Sequence, residues 1–395
     1  MVSARSDPGD FDRNDFDDIY SRYFEDLIAA RDIAADPSGW ARTEAPRDLA
    51  PPAPAIRGSL AHYVVDNRSL IAWAKEPLLA LLSRWDRSAY SYDEVTITPS
   101  ISTAALAVLL RLRASGTTRI LFETPAYYAT IEQANALGIQ TRLLATHFDD
   151  AYRWEPAAMA AAAGPDCACW LSQPRYALGD NQRPADIMDL LHALPSGSSV
   201  VVDETSDQNW PSVLGPIRVE GNTAPLIKIR GLVKPLGLNG LRLAAIMHPV
   251  SDRAAFQELQ WLVGGALDAY SLAAGMQLAE VEDLYPSMLA AARSSIARRR
   301  RRLAMTARRA PIHLSSMDNG YLGTMELEWA NGDGGVAKRR RLLEFCRNEK
   351  MPVTLGSAML FARDRRRERV RLNYFMPMGE LEYSVRALRR FLTGS

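Results

Sequence analysis

Cysteine and histidine are scarce in this chain of 395 residues. The three cysteines, Cys167, Cys169 and Cys346, are too few for a disulfide framework, and Cys-Ala-Cys lacks the second ligand pair of a structural zinc site. The five histidines have no His-x-x-x-His or similar spacing, so the sequence predicts no metal site. Since Cys167 and Cys169 alternate with Ala168 and Trp170, we expect both thiols to be buried in a strand.

Neither sign of charge predominates, and no apolar run is long. The 47 Lys and Arg against 46 Asp and Glu give a net charge of +1, which argues against nucleic acid or membrane as the main partner. No stretch reaches the ~18 apolar residues of a transmembrane helix, and the acidic N-terminus lacks the apolar segment of a signal peptide. We therefore expect a cytoplasmic protein. The arginine run 298–302 would point all around a helix, so we interpret it as a solvated helix with salt bridges.

Short apolar runs alternate with helical segments from about residue 93. Helices are predicted at 102–112, capped by Ser102 or Thr103, and at 127–137. Strands are predicted at 94–98, 118–122, 140–145, 167–172, 199–203, 226–229 and 243–248. This pattern indicates an α/β fold with helices on both faces of a mostly parallel sheet. The Arg-rich end of the chain, with a strand at 370–374 and a helix at 380–392, indicates a smaller α+β domain.

Lysine is also scarce, and one lysine has an unusual setting. Lys234 lies between Val233 and Pro235 in an apolar stretch that contains glycine, and Arg242 follows eight residues later. A loop lysine is ordinarily solvated. Here, loss of water could lower the pKa of the amine and free it for Schiff-base chemistry.

Five segments then fall in an order that resembles one family. Residues 226–248 resemble the lysine loop of the fold-type I pyridoxal-phosphate enzymes, aminotransferase class I/II, whose fold is that of aspartate aminotransferase. The other four resemble the phosphate-binding turn (98–105), the aromatic element (124–127), the aspartate strand (199–204) and the substrate-arginine strand (370–374). The resemblance covers roughly residues 60 to 390 and depends on the ordered set, not on one motif.

The resemblance implies roles for three residues around the ring of pyridoxal 5'-phosphate (PLP). Lys234 would carry the cofactor and act as the acid and base at the substrate. Asp203 would keep the pyridine nitrogen protonated, although alone it could equally cap a turn at the end of a strand. Tyr127 would stack on the ring, although alone it could be a core tyrosine at the start of a helix.

Four further residues are implied around the phosphate and the substrate. Ile101 and Ser102 at a helix start, together with Arg242, would hold the phosphate. Arg371 would hold the substrate carboxylate in two hydrogen bonds. The alternative reading of Arg242 is an ordinary surface arginine, and that of Arg371 is a solvated face of the strand beside the cationic run 365–367.

Three positions depart from the family pattern. Only Pro174 and Gly179 remain of the usual Asn-Pro-x-Asn-Pro-Thr-Gly segment, and Tyr176 stands where an asparagine bonds the cofactor's 3-oxygen. Ser206 replaces a tyrosine that bonds the same oxygen, and Gly231 replaces a phosphate-binding serine. We expect the phenol of Tyr176 to supply the missing donor and the shorter side chain of Ser206 to add a second one.

The implied domains are an N-terminal arm (1–50), the N-terminal part of the small domain (51–90), a large PLP-binding domain (91–285) and a C-terminal small domain (286–395). The implied function is that of a PLP enzyme acting on an amino acid or amine-bearing carboxylate, first of all an aminotransferase. A C–S β-lyase, a cyclase or a decarboxylating deaminase on a specialised biosynthetic route is the alternative, and a non-catalytic binding protein is a third. A homodimer with sites at its interface is implied, with Tyr63 of one subunit reaching the phosphate of the other.

Overall fold

The computed structural model describes residues 23–39, 67–147, 151–218, 221, 224–264, 267–308, 310–329, 336–362, 364 and 366–394. Tyr63 and most of the arm lie outside these residues. The described strands form a seven-stranded sheet and a three-stranded sheet. None of the described helices is long and apolar enough to cross a membrane, and no cluster of metal-ligating side chains occurs in the same ranges.

The large sheet is mostly parallel, as the sequence predicts. Its order is β1-β7-β6-β5-β4-β2-β3, and β7 alone runs antiparallel to its neighbours. The strands are β1 (Val95–Thr98), β2 (Arg119–Glu123), β3 (Gln140–Leu144), β4 (Cys167–Ser172), β5 (Ser199–Glu204), β6 (Leu226–Gly231) and β7 (Ala244–Met247). Each predicted strand therefore exists, with its ends shifted by at most two residues.

Helices cover both faces of this sheet. One face packs against α2 (Asn67–Asp86), α5 (Pro156–Ala162), α6 (Pro184–Ala193) and α8 (Ala269–Glu280). The other packs against α3 (Ile101–Ala114), α4 (Tyr128–Ala136) and α7 (Arg253–Gly264). Strands covered on both faces have continuous apolar sequences, which explains why the sequence located them well.

Alternate side chains of β4 enter the two cores. Cys167, Cys169 and Leu171 join the core beneath α2, whereas Ala168 and Trp170 join the core beneath α3. The predicted burial of the two thiols is confirmed, and Cys346 is buried and free as well.

The small sheet consists of β8 (Ile312–Leu314), β9 (Leu322–Glu328) and β10 (Arg367–Asn373), antiparallel in the order β10-β9-β8. It shares a core with α9 (Leu284–Ala307), α10 (Val336–Asn348) and α11 (Met378–Thr393). The described part of the arm, with α1 (Glu25–Ala29), buries Phe24 and Ala35 in the same core. The arm therefore docks on the small domain.

Two of the predicted domain boundaries need correction. The segment 51–90 is predicted to belong to the small domain, but Leu78, Leu82 and Trp85 of α2 within it pack in the core of the large sheet. The boundary at 285/286 falls inside α9, which begins in the large core at Tyr285 and ends in the small core at Ala307. A continuous helix can serve both cores because it is 24 residues long, about 36 Å.

The arginine run 298–302 lies on α9 and joins it to neighbouring elements. Arg302 pairs with Glu382 of α11, as the salt-bridge interpretation predicts. Arg300 instead donates to the carbonyl of Met317 at 2.7 Å. The run therefore packs α9 against the small domain, and its guanidinium groups point in different directions.

Candidate active site

One cavity lies where several elements end at the same edge of the large sheet. The carboxyl ends of β4 and β5, the loop after β6 and the amino end of α3 border it. Its volume is about 640 Å3 with the solvent-open mouth included, within the usual range for small-molecule sites. Its lining consists of Ile101, Ser102, Ala105, Tyr127, Ala129, Thr130, Gln133, Ser172, Pro174, Tyr176, Asp203, Thr205, Ser206, Lys234, Tyr321 and Leu322. Seven of the nine residues named from the sequence are among these; Arg242 and Arg371 are not.

Lys234 enters the cavity from the loop after β6. It begins a short 3-10 helix, Lys234–Leu236, which Gly237 ends with a φ of +77°, a conformation that glycine adopts without strain. Burial lowers the pKa of the amine to about 8; Arg371 and Arg242 act in the same direction, and Asp203 opposes them. An appreciable fraction of the amine is therefore neutral and nucleophilic near neutral pH.

Asp203 lies at the carboxyl end of β5 and is held by Thr205. The Thr205 N–H donates to Oδ1 at 3.0 Å, and the Thr205 hydroxyl donates to the same oxygen. Within the described residues, Oδ2 accepts no hydrogen bond, so it is the oxygen available to a ligand. Burial raises the pKa of Asp203, while the Thr205 hydrogen bonds and the charge of Lys234 act to lower it.

The ring of Tyr127 forms a flat side of the cavity. Tyr127 is the residue before α4, and its ring centroid lies 5.8 Å from that of Tyr176. Burial raises the pKa of Tyr127 to about 12, so the phenol stays neutral in the physiological range. A neutral, half-buried ring beside Lys234 and Asp203 can stack on a planar ligand.

The amino end of α3 faces a second cavity that adjoins the first. The N-cap of α3 is Ser100, not Ser102 or Thr103, because the Ser100 Oγ accepts from the Thr103 N–H at 3.0 Å. Ile101 and Ser102 are therefore the first helical residues, and their N–H groups have no acceptor within the helix. These two amides and the helix dipole favour an anion there.

Arg242 and Gly231 define the rest of this region. Arg242 lines the second cavity together with Ser100, Ser102 and Asn239. Gly231 cannot be replaced by a residue with a side chain, because a Cβ would lie 2.5 Å from the backbone oxygen of Thr205.

Arg371 lies behind the wall of the first cavity. It is 2% exposed on β10, donates from Nη1 to the Tyr176 hydroxyl at 2.9 Å and from Nη2 to the Ser38 carbonyl at 2.7 Å. The arm therefore takes part in holding this arginine. The alternative interpretation, a solvated face of the strand, is excluded for Arg371.

Tyr176 and Ser206 both reach the cavity, and the contact of Tyr176 was not foreseen. The sequence pairs Tyr176 with the cofactor's 3-oxygen, whereas its hydrogen bond in the structure is to Arg371. A phenol there can contact a cofactor and a substrate-binding arginine from one position. Ser206 lines the cavity, and its hydroxyl makes no hydrogen bond to the other described residues.

Sequence reasoning missed several residues of the site. Tyr321, which is fully buried, lines the cavity and packs on Phe375 with 5.0 Å between ring centroids. Thr205 could have been found, because Asp-x-Thr at the end of a strand is typical of an Asx turn. No local sequence pattern indicates that Ser38 or Tyr321 belongs to the site.

The residues present fit PLP. A lysine with a lowered pKa, a carboxylate with one oxygen available and an aromatic wall share one cavity. An arginine and the amino end of a helix share the next cavity. Within the described residues, the buried side-chain amide of Asn239 at the second cavity makes no hydrogen bond.

Solved structures with the same fold include several aminotransferases. An aspartate aminotransferase variant from Thermus thermophilus superposes with a TM-score of 0.70 at 16% identity, covering 94% of this chain and 95% of that one. The aspartate aminotransferase of Thermotoga maritima gives 0.71 at 15% identity, with 93% and 94% covered. An Escherichia coli protein described as having a methionine aminotransferase function gives 0.68 at 13%, with 93% and 97% covered.

No family model and no curated protein matches the chain by sequence. The predicted fold, that of aspartate aminotransferase, is confirmed by these structures.

Proposed function

We propose that this chain is a PLP-dependent enzyme, an aminotransferase acting on an amino acid or amine-bearing carboxylate. The observation that carries the proposal is that Lys234 and Asp203, from different elements, share one cavity with an aromatic wall and with Tyr176, which bonds the buried Arg371. The likeness of the fold to known aminotransferases supports the same class of reaction.

Bound PLP supplies an electron sink that stabilises negative charge at the substrate's α-carbon. Lys234 provides the amine that links to it. Lys234 Nζ would also accept the α-proton of the substrate and return a proton at another carbon. Its lowered pKa suits both tasks, because a base works best when its pKa lies near the working pH.

Asp203, held by Thr205, would stabilise the positive charge on the pyridine nitrogen of PLP. An ionised carboxylate facing the pyridine nitrogen keeps that nitrogen protonated. Since burial raises the pKa of Asp203, the two Thr205 hydrogen bonds help to keep the carboxylate ionised. They also fix its orientation, with Oδ2 left for the ring.

Tyr176, which lines the cavity, and Arg371, which lies behind it and donates to the Tyr176 hydroxyl, would orient the substrate. A guanidinium with two fixed hydrogen bonds is held in one plane, as a paired interaction with a carboxylate requires. The charge of Arg371 would favour a substrate that carries a carboxylate and would fix how that substrate lies in the cavity.

Transamination and elimination share their first step, so a product assay distinguishes them. PLP-loaded protein is incubated with a panel of amino acids, with and without pyruvate or 2-oxoglutarate, and the Lys234→Ala variant is the control. We expect a new 2-oxoacid in equal amount to the amino acid made from the co-substrate. Release of ammonia, thiol or carbon dioxide without a co-substrate would assign the β-lyase, cyclase or deaminase alternative, which the altered positions Tyr176 and Ser206 favour. No product under any condition would contradict the enzymatic proposal.

We further propose a cytoplasmic homodimer. Large apolar side chains are exposed on two helices that are consecutive in sequence, α7 and α8: Trp261 is 40% exposed, Leu262 73% and Tyr270 51%. A contact between subunits would bury them. Light scattering should give twice the chain mass of 43.7 kDa, and Leu262→Glu should shift the protein toward monomer; a monomeric parent protein would contradict the dimer.

A further inference from the structure

The side-chain amide of Asn239 is buried without partners. Both its Nδ2 and its Oδ1 are shielded from solvent, and neither makes a hydrogen bond within the described part of the chain. Such an amide has lost water and gained nothing in exchange, which is unfavourable. A ligand that supplies the missing bond would explain why it is retained.

The surrounding loop directs Asn239 to the second cavity. The chain leaves Lys234, turns at Gly237 and returns, so that Asn239 lines the same cavity as Ser100, Ser102 and Arg242. No acidic residue is among the described residues that line it. An anion with several acceptor oxygens suits this set of donors.

Position 231, which is close to this region, cannot supply a side-chain donor to such an anion. At Gly231 a side chain would meet the Thr205 backbone oxygen at 2.5 Å and Ile101 Cδ1 at 3.0 Å. A serine hydroxyl therefore cannot be placed there without moving β5 or α3. A further hydrogen-bond donor for an anion in the second cavity must therefore come from a different part of the chain.

We propose that Asn239 donates a hydrogen bond from Nδ2 to the phosphate of PLP and replaces the donor that Gly231 cannot supply. This rests on the proposed function, since it needs PLP in the adjoining cavity. Asn239 is thus a cofactor-binding residue of this chain.

Binding of PLP compared with binding of pyridoxal, which lacks the phosphate, tests this directly. Dissociation constants for both are measured by absorbance for the parent protein, Asn239→Ala and Asn239→Asp. Asn348→Leu, an exposed position at the end of α10, is the control. We expect Asn239→Ala to weaken PLP by about tenfold, as for a lost hydrogen bond to a charged group, and to leave pyridoxal unchanged. Asn239→Asp has the same shape, so it keeps the packing, and its charge should weaken PLP further.

Each other result counts against the proposal. Equal weakening of PLP and pyridoxal would mean that Asn239 only shapes the loop, and unchanged constants in both variants would mean that it makes no phosphate contact. If the parent protein bound neither compound through a borohydride-stable link, the proposed function itself would fail, whatever Asn239 does.

Discussion

Strands β5 and β6 carry two sets of buried charges that differ in how they are neutralised. In the first set, Arg230 pairs with both Asp86 and Glu204, and Lys228 Nζ lies 3.5 Å from Asp86. All four side chains are fully buried. Burial acts to raise the pKa of Asp86, yet Arg230 and Lys228 hold it below its ordinary value.

The second set is only one residue away on β5. Asp203 precedes Glu204, and Lys234 follows Arg230 by four residues, but both face the cavity. Burial raises the pKa of Asp203 and lowers that of Lys234. Because successive strand residues point to opposite faces, one strand can direct one carboxylate into the scaffold and the next into a site.

The comparison separates structural charges from functional ones. In the Arg230 set, Arg230 pairs with Asp86 of α2 and with Glu204 of β5 and so fixes how α2 packs on the sheet, although burial still raises the pKa of Glu204 to about 7. In the Lys234 set, charges are kept where a ligand can approach, and both pKa values are shifted toward the neutral form. Burial alone therefore does not identify a functional charge; burial beside a cavity does.

Replacing one cation in each set should give opposite results. Arg230→Met leaves Asp86 and Glu204 buried without their partner and should lower the free energy of unfolding by about 3–5 kcal/mol. Lys234→Met removes a desolvated amine and should leave thermal stability equal or higher while turnover is lost. Thermal unfolding of the cofactor-free proteins measures both. A stable Arg230→Met protein, or an unfolded Lys234→Met protein, would break the distinction.

Arg371 should affect the substrate and not the cofactor. Arg371→Leu should weaken substrate binding by about 2–5 kcal/mol, as for a buried charged pair that loses one partner, while the visible spectrum of the cofactor persists. Arg242→Leu is the matched variant and should reduce retention of PLP instead. If Arg371→Leu lost the cofactor and kept its substrate affinity, the two assignments would be exchanged.

The pKa of Lys234 predicts a pH profile. Only the neutral amine attacks, so the rate at which PLP links to the cofactor-free protein should rise to a midpoint near pH 8 and then level off. Asp203→Asn removes a charge that raises this pKa, so the midpoint should move down. Arg371→Leu removes a charge that lowers it, so the midpoint should move up. Stopped-flow absorbance gives the midpoints; a midpoint near that of a free lysine, or shifts of the opposite sign, would count against burial of the amine.

Tyr176→Phe should have the smallest effect. It removes the hydroxyl that accepts from Arg371 and keeps the ring, so substrate affinity should fall by about 0.5–1.5 kcal/mol and stability should change little. If the phenol also bonds the 3-oxygen, the pH of the cofactor's spectral transition should rise. An unchanged transition would confine Tyr176 to Arg371, and Ser206 would become the candidate for the oxygen. Unchanged substrate affinity would show that neither contact matters.

The strands, and the order of the candidate site residues along the chain, could be predicted because each depends on a short stretch of sequence. The prediction of a strand at 167–172 has both ends correct, since its first five residues are apolar and polar turns flank the strand. Asp203 lies at the carboxyl end of a strand, Lys234 follows a strand, and Tyr127 precedes a helix. Parallel strands bring such positions to one edge of the sheet.

Contacts across domains could not be predicted in the same way. The Tyr176–Arg371 bond joins residues 195 apart in sequence, and Ser38 lies 333 residues from Arg371. The hydrophobic periodicity of a sequence does not indicate which distant residues will form such a pair. The packing of α2 was missed for the same reason, because an amphipathic helix does not specify which core it covers.

The most direct test of the account is the identity of the lysine that binds PLP. The loaded protein is reduced with borohydride and digested, and the labelled peptide is identified by mass spectrometry. Lys75 is a built-in control, because burial lowers its pKa to about 8 as well, but its amine lies 3.7 Å from the centre of the Tyr92 ring, away from Asp203. We predict the label on Lys234 alone. A label on Lys75 or another lysine, or no label, would contradict the central claim.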